Sequence, residues 1–237
     1  MKRYTTLFID LDNTLYDFSG NSREAYRAVY ALLGYERWFD SFERYFEIYE
    51  EYNLQLWALY AEGRITKEHL NAERYSHPLR VMGVPDAEAV GARFWDEAMK
   101  RLPLGDRLMP HAREILDYLR PKYKLFVLSN GFTELQSRKM QSARIGRYFD
   151  GVILSEDIGV NKPNPAIFEY ALQVAGSTPE ETLMIGDNLE VDIEGAQGVG
   201  IDQVYYRIDA SAPNAERCKT AKPTYTITSL LELKEIL

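Results

Sequence analysis

Four short segments hold residues whose types and spacing could do chemistry. Asp10-Leu11-Asp12-Asn13-Thr14 sets two carboxylates two positions apart, which puts both on one face where the chain is extended. Carboxylates that close repel unless a divalent cation or a shared proton relieves them; a turn that merely carries acidic residues is the alternative. Ser129-Asn130-Gly131 joins a small hydroxyl to a glycine-containing turn. Such a turn offers a side-chain donor and backbone amides to an anion, or else simply links a strand to a helix. The serine lacks the G-x-S-x-G setting of a nucleophile. Asn161-Lys162-Pro163-Asn164-Pro165 presents a lysine whose backbone is restricted by the following proline. A lysine is a point charge suited to phosphate, although most lysines are simply solvated. Gly186-Asp187-Asn188-Leu189-Glu190-Val191-Asp192 adds further carboxylates. Hard oxygen ligands of this kind suit Mg²⁺, and Asp192 in a first helical turn would also complement the helix dipole.

These segments must be positioned by the elements around them. Leu7-Phe8-Ile9, Lys124–Leu128, Val152–Leu154 and Leu183–Ile185 are short apolar runs that read as buried parallel strands, with Val204–Tyr206 and Tyr225–Ile227 as weaker candidates. Helical patterns lie between most of them, which predicts an α/β fold built on a doubly wound, Rossmann-like parallel sheet. Thr133-Glu134-Leu135-Gln136 has capping-box spacing and Gly146 is placed to stop that helix. Asn164-Pro165 suits a helix start, Gly176 its end, and Ile167, Phe168, Ala171, Leu172 and Ala175 its buried face. The interval 18–104 differs: it shows amphipathic helical patterns, one from about Trp38 to Tyr60, broken at Gly34, Gly63, Gly83-Val84-Pro85 and Pro103. It reads as an all-helical insertion, so the expected division is a core of residues 1–17 plus 105–237 and a helical domain of residues 18–104. Residues 209–223 read as a surface loop.

All four segments then fall at or just beyond the C-terminal ends of strands, which line one crevice in a doubly wound sheet. Together they offer carboxylates to a cation, and a hydroxyl, amides and a lysine to an anion. That combination suits metal-assisted phosphoryl transfer. Composition agrees without deciding. The chain has 237 residues, 46% of them hydrophobic, and a net charge of −8, which disfavours a nucleic-acid polymer or an anionic membrane as partner. No stretch approaches the ~20 apolar residues of a membrane span, the N-terminal apolar run is too short for a signal peptide, and one cysteine, Cys218, forms no internal disulfide. A soluble, cytoplasmic protein is expected. His69, His77 and His111 have no ligand or catalytic spacing. Gly195, Gly198 and Gly200 follow a helix rather than a strand, which excludes a dinucleotide loop. About half of the aromatics fall in the helical insertion, where helical spacing reads as a bundle core rather than a base-stacking surface. Tyr16 and Phe18 are better placed to approach a substrate.

In this order the segments resemble the haloacid dehalogenase superfamily of phosphotransferases, with the insertion resembling its helical cap. Ser129–Gln136, Ser155-Glu156-Asp157-Ile158-Gly159-Val160 and the Lys162–Phe168 segment resemble a branch that contains noncanonical pyrimidine 5′-nucleotidases. The resemblance implies Asp10 as nucleophile and Asp12 as general acid/base, raised in pKa by neighbouring carboxylates. It implies Mg²⁺ held by Asp10, Asp187 and the backbone carbonyl of Asp12, with Asp192 orienting Lys162 or a metal-bound water. Ser129, Asn130, Gly131 and Lys162 would bind the phosphoryl group. The implied substrate is a small phosphomonoester, a nucleoside 5′-monophosphate by the finer resemblance and a sugar phosphate or phosphoglycolate by the alternative. A 2-haloacid dehalogenase would share the fold but need neither metal nor Asp12. A phosphomutase would have to retain the phosphoryl group, and a phosphate-binding regulatory module would lack one of these residues.

Overall fold

The computed structural model describes residues 4–208 and 221–237; residues 209–220, with Cys218 and most of the expected loop, lie outside them. Six strands form one parallel sheet: β1 (Thr6–Ile9), β2 (Lys124–Ser129), β3 (Gly151–Leu154), β4 (Thr182–Gly186), β5 (Asp202–Tyr206) and β6 (Tyr225–Ile227), in the order β3-β2-β1-β4-β5-β6. Ile9 is level with Val127 on one side and with Ile185 on the other. Successive strand residues face opposite sides. Leu7, Ile9, Leu125, Val127, Leu183 and Ile185 therefore enter one core layer, while Phe8, Phe126, Leu128 and Met184 enter the other. This is the expected doubly wound sheet. Its order runs outward from β1 in both directions, so the switch point lies between β1 and β4, where ligands of such sheets bind at the C-terminal ends of the strands.

The helices are α1 (Phe18–Leu32), α2 (Phe42–Ala61), α3 (Lys67–Val81), α4 (Ala87–Arg101), α5 (Ala112–Leu119), α6 (Thr133–Ser142), α7 (Ser155–Ile158), α8 (Pro165–Ala175), α9 (Gly195–Gly198) and α10 (Leu233–Ile236). Ile115, Leu116 and Leu119 of α5 fill the first layer; Ile167, Phe168 and Ala171 of α8 fill the second. Helix α8 starts as its sequence directs, with the Asn164 side chain accepting from Ala166 N at 3.0 Å and Pro165 first in the helix. Gly176 ends it at φ 58°.

Helix α6 departs from expectation at both ends. Thr133 is its first residue rather than its cap, and the Thr133 amide and hydroxyl both donate to Glu156. Gln136 does not reach back to the helix start at all. The helix ends before Gly146, and Arg144 supplies the left-handed residue at φ 54°. Helix α2 begins later than the pattern from Trp38 implies, because Ser41 caps it by accepting from Arg44 N at 3.1 Å.

The chain divides into two compact units, Met1–Phe18 with Asp106–Leu237, and Ser19–Gly105. The second is an aromatic-cored helical bundle, as the helical spacing of its aromatics predicts. Tyr26 lies 5.1 Å from Tyr49, and Phe94 lies 5.2 Å from Tyr45 and 5.3 Å from Tyr75, ring centre to ring centre. The Tyr26 hydroxyl bonds those of Tyr49 and Tyr75 at 3.1 and 2.9 Å. Arg74 is buried beside this cluster. Its guanidinium lies 4.9 Å from the Tyr75 ring and 5.2 Å from the Trp95 ring and donates to Asn71 Oδ1 at 2.7 Å. Among the described residues no carboxylate pairs with Arg74. No described helix is long and apolar enough to cross a membrane.

Candidate active site

Strand β1 ends at Ile9, so Asp10 is the first residue beyond it; Ser129 is the last residue of β2, and Asp187 directly follows β4. Three adjacent strands thus deliver three polar side chains to one end of the sheet. After Asp10 the chain turns tightly, with Asn13 in the left-handed region at φ 63° and the Leu15 and Tyr16 amides both bonded to Leu11 O. The turn brings Thr14 back, and its hydroxyl lies between Asp187 Oδ1 at 3.2 Å and Asp10 Oδ2 at 3.4 Å.

Asp192 arrives on a wide, π-helical turn, Leu189–Glu194, started by Asn188, whose side chain accepts from Glu190 N and Val191 N. Its carboxylate is engaged at both oxygens, by Lys162 Nζ at 2.6 Å and by Asn188 N at 3.1 Å. The approach needs Gly186: a Cβ there would lie 2.3 Å from Asp192 Oδ2.

Lys162 is 1% exposed, and its ammonium has three acceptors: Asp10 Oδ1 at 2.8 Å, Leu128 O at 2.7 Å and Asp192 Oδ1. All three protons are taken, so a bond from Lys162 to a phosphoryl oxygen requires that one of these be exchanged. The Asn130 side chain clamps the lysine's backbone, accepting from Lys162 N at 2.7 Å and donating to Lys162 O at 2.9 Å. The Gly131 amide is likewise engaged inside the loop, on Ser129 Oγ at 3.0 Å.

Asp10, Asp187 and Asp192 each offer an oxygen within 4.8 Å of the others, and Lys162 is the cation bonded among them. Burial pushes the Asp10 carboxyl up to about 7, with Lys162 opposing the shift and Asp192 adding to it. Burial, then Asp10 and Asp192, push the Asp187 carboxyl well above the usual range. Three carboxylates against one ammonium leave a negative excess that a divalent cation would neutralise, and the donors are hard oxygens. The residues therefore fit a cation of the Mg²⁺ class. Both Asp192 oxygens are held at 3.1 Å or less, whereas Asp10 Oδ2 and Asp187 Oδ1 share the single Thr14 proton at 3.4 and 3.2 Å, so Asp10 and Asp187 are the carboxylates better able to hold it.

Asp12 differs from expectation. Its hydrogen-bonded neighbour is an ammonium rather than a carboxylate: Lys139 Nζ lies 2.9 Å from both oxygens, and Gln136 Nε2 lies 3.0 Å from Oδ2. Tyr16 is wholly buried in the first core layer and cannot approach a substrate there. Phe18 is partly buried, beneath the Lys139 ammonium at 4.3 Å from the ring centre. The sequence assigns no site role to Thr14, Gln136 or Lys139, although Thr14 lies in the first motif and Gln136 in the capping-box segment. The available signal was the spacing of Gln136 and Lys139, one turn apart on a helix that starts just after Ser129-Asn130-Gly131.

The haloacid dehalogenase-like hydrolase profile matches residues 4–200. The chain belongs to the haloacid dehalogenase-like hydrolases. The HAD-type hydrolase YfnB of Bacillus subtilis is 31% identical over 238 residues, covering 100% of this chain and 97% of YfnB. The pyrimidine 5′-nucleotidase YjjG of Escherichia coli is 30% identical, covering 99% of this chain and 98% of YjjG. A ribulose-1,5-bisphosphate 5-phosphatase of Halopiger xanaduensis is 30% identical, covering 98% and 99%. The crystal structure of YfnB bound to magnesium, which reveals interdomain movement in that protein, superposes with a TM-score of 0.87 at 28% identity and covers 100% of this chain and 99% of YfnB. These relatives fit the branch with the noncanonical 5′-nucleotidases and make this haloacid dehalogenase-like hydrolase a phosphoric monoester hydrolase.

Proposed function

We propose that this phosphatase hydrolyses nucleoside 5′-monophosphates through an aspartyl-phosphate on Asp10, with Mg²⁺ as cofactor. The observation that carries the reading is the buried cluster at the switch point: Asp10, Asp187 and Asp192 around Lys162. Asp10, Asp187 and the backbone carbonyl of Asp12 would hold Mg²⁺, which when bound screens the approach of one anion to another. An Asp10 oxygen attacks phosphorus in line, the bond from phosphorus to the ester oxygen breaks, and Asp12 gives that oxygen its proton. Water then attacks phosphorus, Asp12 takes the water's proton, and the bond from Asp10 to phosphorus breaks to release inorganic phosphate. Ser129 donates to a phosphoryl oxygen, Asn130 and Gly131 shape the loop that presents it, Lys162 balances the charge of Asp10, and Asp192 holds Lys162.

The similarity to YjjG supports the nucleotide reading, and the similarity to the ribulose-1,5-bisphosphate 5-phosphatase supports a sugar phosphate as the second. The separating test is phosphate release across nucleoside 5′-monophosphates, sugar phosphates and phosphoglycolate with Mg²⁺ present. A preference for pyrimidine monophosphates is expected. Faster turnover of a sugar phosphate would replace the substrate assignment and keep the chemistry, whereas turnover undiminished in excess chelator would remove Mg²⁺ from it.

A further inference from the structure

Gln136 and Lys139 are polar, lie one turn apart on α6, and are 0% and 2% exposed. Burial of an ammonium and an amide at such depth is costly unless each is hydrogen-bonded. The partners they have found belong to the reaction.

The two protons of Gln136 Nε2 go to two different site residues, Ser129 Oγ at 2.8 Å and Asp12 Oδ2 at 3.0 Å. With Asp12 ionised, the form in which it takes the water's proton, the opposite orientation of the amide would aim its oxygen at a carboxylate; the orientation found leaves Gln136 Oε1 buried without a partner. Ser129 Oγ accepts from Gln136 and from the Gly131 amide, which occupies both of its lone pairs. Its one proton remains, and among the described residues no acceptor takes it. Ser129 is thereby limited to donating, the polarity that a phosphoryl oxygen requires. Lys139 sits across both Asp12 oxygens at 2.9 Å, seated on the Phe18 ring. Gly131 belongs to the same arrangement: a Cβ there would lie 1.9 Å from Gln136 Nε2.

We propose that Gln136 and Lys139 are positioning residues for this phosphatase, Lys139 fixing the Asp12 carboxylate and Gln136 tying Asp12 to Ser129 while setting the serine hydroxyl as a donor. This rests on the assignment of Asp12 and Ser129 made under the proposed function. Displacement of a reacting group by about 1 Å costs on the order of 10²-fold in rate.

The test is a pair of double-mutant cycles on the full chain with Mg²⁺, read as kcat and KM for phosphate release from a nucleoside 5′-monophosphate and an aryl phosphate. Lys139→Met is expected to lower kcat about 10²-fold in the wild-type background and to cost nothing further when added to Asp12→Asn. Gln136→Met is expected to lower kcat and raise KM, and to lose most of its effect in a Ser129→Ala background. Gly131→Ala should reproduce Gln136→Met, and Lys139→Arg should recover part of the Lys139→Met loss. Losses that multiply in the double variants mean a structural role and overturn the proposal, as does wild-type kcat in both single variants. If Lys139→Met does not fold, as judged by its thermal transition, Lys139→Gln carries the same cycle. An Asp12→Asn variant with full activity would instead bring down the underlying reading and this one with it. Inactive Asp12→Asn beside fully active Lys139 and Gln136 variants would bring down this one alone.

Discussion

Each unit of the molecule buries a cation, and the two do it by different chemistry. Lys162, 1% exposed, is matched by two carboxylates and a carbonyl oxygen. Arg74, 4% exposed, is matched by an amide oxygen and the faces of Tyr75 and Trp95. Aromatic faces attract a cation without carrying net charge, so the centre of the helical bundle keeps the single positive charge of Arg74. The carboxylates around Lys162 outnumber it, and the excess makes that region a receptor for further positive charge. Of these two buried cations, the one at the candidate site is the one whose partners are charged and more numerous than it is.

The comparison is broken most severely at Asp10. Asp10→Asn is expected to lower phosphate release by on the order of 10⁴-fold while the circular dichroism and melting transition stay close to those of the wild type; a folded variant with most of its activity would exclude Asp10 as nucleophile. Lys162→Met leaves Asp10 and Asp192 facing each other without their shared ammonium. Loss of one partner from a buried pair costs about 3–5 kcal/mol, to be read from urea unfolding of metal-free protein, and a cost under about 1 kcal/mol would show that the cluster does not need its cation.

The third test uses pH. The Asp10 carboxyl titrates near 7 when folded against 3.8 ordinarily, so the folded state binds its proton more tightly. The stability this provides is complete below about pH 4 and is lost as pH rises through 7. Metal-free protein should lose stability across that window. Mg²⁺ at a fixed concentration, about 100 times its dissociation constant at pH 8, should return about 2.7 kcal/mol there and less at pH 5. Thermal melts at the two pH values decide it, and a larger gain at pH 5 would contradict the charge argument. The smallest effect belongs to the bundle. Arg74→Met removes cation–π attraction and one hydrogen bond but strands no carboxylate, so a loss of about 1–2 kcal/mol is expected. A loss as large as that of Lys162→Met would erase the distinction between the two regions.

What could be read from sequence was whatever depended on neighbours along the chain. Short apolar runs ending in Asp10, Ser129 and Asp187 located the strands and the site, because a buried parallel strand is apolar along its length and its end is the first place where a polar residue can stand. Asn164-Pro165 and Gly176 bounded α8 for equally local reasons. Gln136 shows where this stops. Its spacing from Thr133 fits a capping box, yet its partners, Ser129 and Asp12, are 7 and 124 residues away, and the charge of Asp12 outweighs a local cap. Tyr16 follows the first motif closely in sequence, but the Asn13 turn folds it into the core. The engagement of all three Lys162 protons is likewise a matter of three elements meeting, which no local spacing encodes.

The wide turn that carries Asp192 has a consequence for how the chain tolerates change in length. Ile193 N and Asp192 N both reach Asn188 O, at 3.3 and 3.0 Å, so the turn accommodates one more residue than an α-helical turn would. A deletion of Val191 would preserve Gly186, Asp187 and the aspartate itself, and every motif would still be recognisable by eye. The aspartate would nonetheless be rotated off the lysine it holds. At this point the number of residues between two carboxylates is as much a part of the site as the carboxylates.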